Sequence, residues 1–116
     1  MIRVFIADDE KFIVDAFNSF LKDEDEIKVV GEAFDGKETI EKLKGIEVDV
    51  LLLDYDMPIM TGLEVCKYVD EHFPDIKTIV ISLNNKPRII KTFIDTGAVG
   101  YLTKSSSSFL HLNNLS

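Results

Sequence analysis

The sequence predicts an α/β domain built on a parallel β-sheet of five strands. Short apolar runs alternate along the chain with stretches whose apolar residues recur at helical spacing, which is typical of strands and crossover helices. The apolar runs are mostly β-branched or leucine-rich, as expected of strands covered on both faces. At 116 residues, of which 46% are hydrophobic, the chain has enough material for one core and too little for two.

Each predicted strand is a brief run that ends at a polar or turn-forming residue. In chain order, the strands are β1 at residues 2–7, β2 at 28–33, β3 at 48–53, β4 at 78–81 and β5 at 99–102. Runs of this length are typical of sheet strands.

The segments between the strands are the predicted helices α1 to α4. Three of these helices have well-defined apolar faces. Their members are Phe12, Ile13, Ala16, Phe17, Phe20 and Leu21 in α1, Leu63, Cys66, Val69 and Phe73 in α3, and Ile89, Ile90, Phe93 and Ile94 in α4. Helix α2, at residues 36–44, has only Ile40 and Leu43 on its apolar face, so we expect it to be weakly anchored. Pro87 suits the first turn of α4, and Gly97 suits a left-handed cap at its end.

The last twelve residues, SSSSFLHLNNLS, differ from the rest of the chain. Their serines are typical either of a linker or of the capping region of a final helix, α5, through Phe109, Leu110 and Leu112. We expect a single domain over residues 1–116, with residues 105–116 as a short or truncated final helix. A missing output domain stays an alternative.

Charge and composition argue against several classes of function. The formal net charge is -8, which is the wrong sign for a surface that binds nucleic acid or anionic lipid. Cys66 is the only cysteine, so an internal disulfide is excluded and a reducing, cytoplasmic location is expected. The sequence shows neither a signal-peptide core nor an apolar stretch long enough to span a bilayer. We therefore expect no direct contact with nucleic acid or membrane.

Polar side chains follow four of the predicted strands. They are Asp8 and Asp9 after β1, Asp54 after β3, Ser82 after β4, and Thr103 and Lys104 after β5. In an open parallel sheet, ligands bind outside the carboxyl ends of the strands, so these side chains should meet at one edge.

The chemistry of this set indicates a site for a cation and a phosphoryl group. Three aspartates in close contact would repel one another unless a divalent cation lay between them, and Mg²⁺ prefers such oxygen ligands. Asp54 could then attack phosphorus as a carboxylate nucleophile, with Lys104 and Ser82 contacting phosphoryl oxygens. Taken one at a time, each residue is equally compatible with a helix cap, a turn or the surface. Their joint occurrence at successive strand ends favours the site.

Four motifs are highly specific together: FIADDE at 5–10, DVLLLDYDMPIMTGLE at 49–64, TIVIS at 78–82 and GAVGYLTK at 97–104. Through them, nearly the whole chain resembles the CheY-like receiver domains of bacterial two-component response regulators. The resemblance implies a flavodoxin-like, doubly wound, five-stranded parallel sheet of order 2-1-3-4-5 with helices on both faces. Many receivers have proline after the lysine of the last motif, whereas Ser105 here is similar to the NarL/FixJ-like subfamily, whose output is a helix-turn-helix.

The resemblance also implies roles for the acidic residues and the lysine. Asp54 is the expected phosphoacceptor, and Asp8 and Asp9 form the expected acid pair. The implied Mg²⁺ ligands are Asp8, Asp9, Asp54 and the backbone carbonyl of Asp56. Lys104 is the residue expected to sense the phosphoryl group. The domain is then no enzyme in its own right, because it catalyses only its own phosphorylation and dephosphorylation.

Signal transmission is implied through a switch pair and a partner protein. Ser82 is the expected switch hydroxyl and Tyr101 the expected rotating aromatic. A sensor histidine kinase is the implied phosphodonor, and phosphorylation is expected to remodel the α4-β5-α5 face, through which a homodimer could form.

Two departures from the family keep alternatives open. Leu83 stands directly after Ser82, where many receivers have a small residue, and the tail lacks a long amphipathic α5. One alternative is therefore a phosphorylation-independent binding module with a receiver-like fold. The other is a haloacid-dehalogenase-type phosphatase, because LLLDYD also places a nucleophilic aspartate after an apolar strand. That phosphatase would require further acidic ligands downstream of Asp54, and the sequence offers none comparable.

Overall fold

The structure is a computed structural model that describes residues 1–104. Its elements in chain order are β1 (Ile2–Ala7), α1 (Lys11–Leu21), β2 (Ile27–Ala33), α2 (Gly36–Leu43), β3 (Val50–Asp54), α3 (Gly62–His72), β4 (Lys77–Ser82), α4 (Pro87–Thr96) and β5 (Gly100–Thr103). The predicted final helix at residues 105–116 lies outside the described part of the chain. Within residues 1–104, no helix is long and apolar enough to cross a membrane.

All neighbouring strands are parallel, and their order is β2-β1-β3-β4-β5. This order confirms the flavodoxin-like, doubly wound topology. The register pairs Ala7 of β1 with Leu53 of β3, so that Asp8 and Asp54 come level at the carboxyl edge of the sheet. The topology therefore brings two aspartates together that are far apart in the sequence.

Each face of the sheet has its own apolar layer because successive strand residues point to opposite faces. In β1, Phe5 and Ala7 pack on one face, and Val4 and Ile6 on the other. The first layer includes buried residues of α2, α3 and α4: Ile40, Leu43, Val65, Cys66, Val69 and Phe93. The second layer packs against α1 through Ile13, Val14 and Phe17. Cys66 is 1% exposed, which confirms its predicted place in the core.

Strand boundaries differ from the predicted ones at the functional edge. Asp54, Ser82 and Thr103 are the last residues of their strands, whereas the sequence placed them just past the strand ends. In each case the apolar run stops one residue before the strand does. The strand continues because its backbone hydrogen bonds do not depend on the polarity of the side chain. At its other end, β3 begins at Val50, since Val48 is a buried apolar residue of the preceding loop.

The helix ends have definite physical causes. Thr61 and Glu64 form a reciprocal capping box at the start of α3, so the alternative role of Asp54 as the cap of that helix is wrong. Pro87 occupies the first turn of α4, and Gly97 ends that helix with φ 123°, as predicted. Helix α2 buries Thr39 in addition to the predicted pair, and the Thr39 hydroxyl donates to the Asp35 carbonyl.

Candidate functional site

The centre of the site is a pair of buried aspartates at the ends of β1 and β3. Asp8 is 0% exposed and Asp54 is 3% exposed, while Asp9 points out to solvent. Oδ1 of Asp8 accepts a hydrogen bond from the backbone N–H of Glu10 at 2.9 Å. Oδ1 of Asp54 accepts one from the backbone N–H of Asp56 at 3.3 Å. These backbone donors hold both carboxylates at the same edge of the sheet.

Lys104 crosses this edge from the end of β5 and joins the two aspartates. Its Nζ lies 2.7 Å from Oδ2 of Asp8 and 3.0 Å from Oδ1 of Asp54, and its side chain is only 7% exposed. Nζ is also 3.8 Å from Oε1 of Glu10. Burial by itself would lower the pKa of Lys104, but contact with Asp8 and the charges of Asp54 and Asp8 together raise it. Lys104 is therefore a charged group inside the site.

Asp54 is the residue whose ionisation the fold disturbs most clearly. Burial, followed by the nearby charge of Asp8, raises the pKa of Asp54 to about 7, although Lys104 and the Asp56 N–H act in the opposite direction. A single ammonium thus compensates only part of the negative charge at this edge. A carboxyl group with a strongly perturbed pKa in a cluster of charged residues is typical of a functional site.

The acidic side chains fit a divalent cation. Carboxylate oxygens of Asp8, Asp9 and Glu10 all lie within 4.8 Å of one another. Oδ2 of Asp8 is fully buried, and its contact with Lys104 is an ion pair without good hydrogen-bond geometry. Oxygen ligands of this kind suit Mg²⁺. Glu10 is not among the site residues predicted from the sequence, although it ends the motif FIADDE.

Ser82 and Tyr101 are connected through the backbone of Asn84. Ser82 is 2% exposed, and its Oγ accepts a hydrogen bond from the Asn84 N–H at 2.9 Å. The Tyr101 hydroxyl donates to the Asn84 carbonyl at 2.7 Å, and its ring packs against Phe93 of α4. A displacement of the loop after β4 would therefore affect both side chains. Asn84 acts through its backbone, which leaves no signal in the sequence.

The loop after β3 positions the remaining site residues. Gly62 donates its N–H to the Tyr55 carbonyl at 3.0 Å, and a side chain at this glycine would collide with the Asp54 carbonyl. In the same loop, Ile59 has φ 73°, and the Met60 N–H donates across it to the Pro58 carbonyl at 2.8 Å. This is a strained γ-turn at a β-branched residue. The loop thus passes close to the backbone of Asp54.

The structure brings most of the predicted site residues to one edge. Lys104 directly contacts both Asp8 and Asp54, and Asp9 lies next to Asp8. Ser82 lies at the end of the neighbouring strand β4. Among the described residues, the acidic group with the spacing of a metal site consists of Asp8, Asp9 and Glu10. The group predicted from the sequence contained Asp54 and did not contain Glu10.

Known proteins are similar to this chain in sequence and in fold. The family model described as "Response regulator receiver domain" matches residues 4–112. Transcriptional regulatory protein LnrK from Bacillus subtilis (strain 168) is 32% identical over 108 residues, covering 93% of this chain and 49% of LnrK. The chain therefore spans about half the length of LnrK.

Two solved structures have the same architecture. The signal receiver domain of NarL from Mycobacterium tuberculosis superimposes with a TM-score of 0.84 at 30% identity, covering 95% of this chain and 90% of that one. The response regulator domain of Thermotoga maritima CheB gives 0.88 at 29% identity, covering 99% and 90%.

Proposed function

Because this chain belongs to the response regulator receiver domain family, we propose that it is a signalling switch that accepts a phosphoryl group on Asp54. The observation that supports this proposal most directly is the buried contact of Lys104 with both Asp54 and Asp8. A nucleophilic carboxylate, an acidic partner and a fixed positive charge are the groups that such a transfer needs.

The proposed donor is a phosphohistidine on a sensor histidine kinase. An Asp54 carboxylate oxygen attacks phosphorus while the phosphorus–nitrogen bond breaks, so the phosphoryl group moves to Asp54 and the departing imidazole takes a proton. Lys104 contacts the Asp54 carboxylate before transfer and is within reach of the phosphoryl oxygens afterwards. Ser82 offers its hydroxyl from the end of β4 as a second donor.

The ligands that would hold Mg²⁺ are Asp8, Asp9, Asp54 and the backbone carbonyl of Asp56. When bound, the cation supplies positive charge that keeps the acceptor carboxylate ionised and balances the charge of the phosphoryl oxygens. The buried, poorly satisfied Oδ2 of Asp8 supports a ligand role for that residue. Until a cation binds, Lys104 partly neutralises the same carboxylates.

Transmission is proposed to run from Ser82 to Tyr101. A phosphoryl group on Asp54 would compete for the Ser82 hydroxyl, whose oxygen now accepts from the Asn84 N–H. Movement of that loop would change the bond between the Tyr101 hydroxyl and the Asn84 carbonyl, and with it the packing of Tyr101 on Phe93. The result would be a population shift at the α4-β5 side of the domain. A homodimer through the α4-β5-α5 face belongs to this proposal, and α5 lies outside the described residues.

A wider role for the protein can be proposed from its relatives. LnrK is a transcriptional regulatory protein about twice as long as this chain. We infer that this domain controls an output domain or partner and makes no direct contact with DNA, since its net charge is -8. The cytoplasmic location stays a prediction.

Phosphorylation of the isolated chain tests the proposal. The protein is incubated with MgCl₂ and acetyl phosphate, and its intact mass is followed beside that of Asp54→Asn and of Asp25→Asn, an exposed control. We expect one acid-stable, base-labile phosphoryl adduct in the wild type and in the control. The adduct should be absent from Asp54→Asn and after chelation of the metal.

Other outcomes would identify the alternatives. A wild-type protein that stays unmodified with acetyl phosphate and with several other small phosphodonors would favour the phosphorylation-independent binding module. Leu83, 72% exposed beside the switch hydroxyl, would then be a candidate contact of that module. Multiple turnover of phosphomonoesters would instead favour a phosphatase.

A further inference from the structure

Glu10 lies beside the proposed metal ligands, at the N-terminus of α1. It occupies the N-cap position, yet its side chain makes no capping hydrogen bond. Its side chain is 47% exposed and directed to the acidic edge, where Oε1 lies 3.8 Å from Nζ of Lys104. The usual functions of a polar residue at this position do not account for that placement.

The placement of Glu10 has an electrostatic cost unless a cation is present. Carboxylate oxygens of Glu10, Asp8 and Asp9 lie within 4.8 Å of one another, and like charges at this separation repel. The Lys104 ammonium carries one positive charge and lies closer to Asp8 and Asp54 than to Glu10. Negative charge therefore stays in excess on the side where Asp9 and Glu10 face solvent. That side is open to a hydrated divalent cation.

A second observation comes from Asp8, which connects the buried and exposed parts of the cluster. Its Oδ1 receives the backbone N–H of Glu10, whereas its buried Oδ2 accepts no well-formed hydrogen bond among the described residues. The backbone of Glu10 thus orients the Asp8 carboxylate, and the side chain of Glu10 lies beside that same carboxylate. The two residues form one local unit.

We propose that Glu10 is a further carboxylate of the divalent-cation site, acting beside Asp8 and Asp9, and that it determines the preference of the site among divalent cations. This inference rests on the proposed function, and it adds a ligand at the outer, solvent-facing side. Glu10 reaches the cation directly or through one of its waters. Ca²⁺ accepts six to eight oxygen ligands, whereas Mg²⁺ requires an octahedral shell and keeps several waters. An extra carboxylate should therefore increase the affinity for Ca²⁺ more than for Mg²⁺.

Calorimetric titration of the full chain with MgCl₂ and, separately, with CaCl₂ tests the inference. Glu10→Gln removes the charge at nearly constant size, and Glu71→Gln, exposed in the last turn of α3, is the matched control. We expect Glu10→Gln to bind Mg²⁺ about 3- to 10-fold more weakly than the control, and to lose more affinity for Ca²⁺. The ratio of Mg²⁺ to Ca²⁺ affinity should therefore rise. Circular dichroism checks that each variant is folded.

Three results would overturn the inference. The first is an affinity of Glu10→Gln for both cations equal to that of Glu71→Gln. The second is a loss that disappears in about 0.5 M KCl, because such screening indicates a long-range charge effect and not a ligand. The third is a wild-type protein that binds neither cation.

The mass assay with acetyl phosphate separates this inference from the proposed function. A wild-type protein that is phosphorylated on Asp54, together with unchanged cation binding in Glu10→Gln, would overturn the role of Glu10 alone. Cation binding that depends on Glu10, in a wild-type protein that accepts no phosphoryl group, would overturn the proposed function and support the inference.

Discussion

Removal of the Asp54 charge should stabilise the metal-free protein, although it abolishes the proposed function. Burial raises the pKa of Asp54 from 3.8 to about 7, so the ionised carboxylate is less favourable in the folded chain than in the unfolded chain. The difference corresponds to about 4 kcal/mol at high pH. The pKa of about 7 already includes the favourable contact with Lys104, and burial of the new amide should offset part of this gain. We therefore expect a net gain of about 2 kcal/mol in the free energy of unfolding at pH 8.

The dependence of this gain on pH has a definite sign. Well below pH 3.8, Asp54 is protonated in both states and the substitution should have little effect on this account. Between pH 4 and pH 7, the unfolded chain releases the proton while the folded chain keeps it, so wild-type stability falls as pH rises. The gain from Asp54→Asn should grow across this window and level off above about pH 7.

Urea denaturation in EDTA at pH 5 and pH 8 measures the effect. Asp25→Asn, in the exposed turn after α1, controls for the reduced net charge. The gain at pH 5 should be less than half of that at pH 8. Added Mg²⁺ should reduce the difference, because it binds the folded wild type more tightly than the variant. A variant that is no more stable than Asp25→Asn at pH 8, or a gain independent of pH, would refute this account of Asp54.

Two further predictions concern Ile59 and Cys66. Ile59 is 76% exposed with φ 73°, so Ile59→Gly should raise stability by about 0.5–1 kcal/mol and the melting temperature by a few degrees, and a lower melting temperature would contradict the strain. Burial, followed by the charge of Asp70, raises the pKa of the Cys66 thiol to about 11. Iodoacetamide at pH 8 should therefore alkylate it at least about 100-fold more slowly in the native protein than in urea, whereas equal rates would mean that the thiol is accessible.

The sequence predicts the elements of this fold well because its apolar runs meet simple geometric requirements. Strands β1 and β4 have apolar residues on both faces, and the observed strands cover the predicted ranges with small shifts. The shifts occur where a buried residue is not part of a strand, or where a strand residue is not apolar. Val48 is buried without being in a strand, while Asp54 is in a strand although it is charged. A pattern of hydrophobic residues reports burial and contains no direct information on the ladder hydrogen bonds.

The site could be predicted in outline for the same reason. Asp8, Asp54 and Lys104 each stand at or next to the carboxyl end of a strand, and a parallel sheet collects those ends at one edge. The contributions of Glu10 and Asn84 could not be predicted in this way. Glu10 joins the cluster because of the direction in which the chain enters α1, and Asn84 contributes through backbone atoms that every residue has.

The sequence by itself determined the class of fold, the charge of the surface and the residue types available for chemistry. Only the tertiary structure decided which of these charges are buried and which of them are in contact. Asp8 and Asp9 are neighbours in the chain, yet one is fully buried against Lys104 and the other faces solvent. The physical reason is that the burial of each carboxylate and its distance from other charges arise only when β1, β3 and β5 are assembled in one sheet.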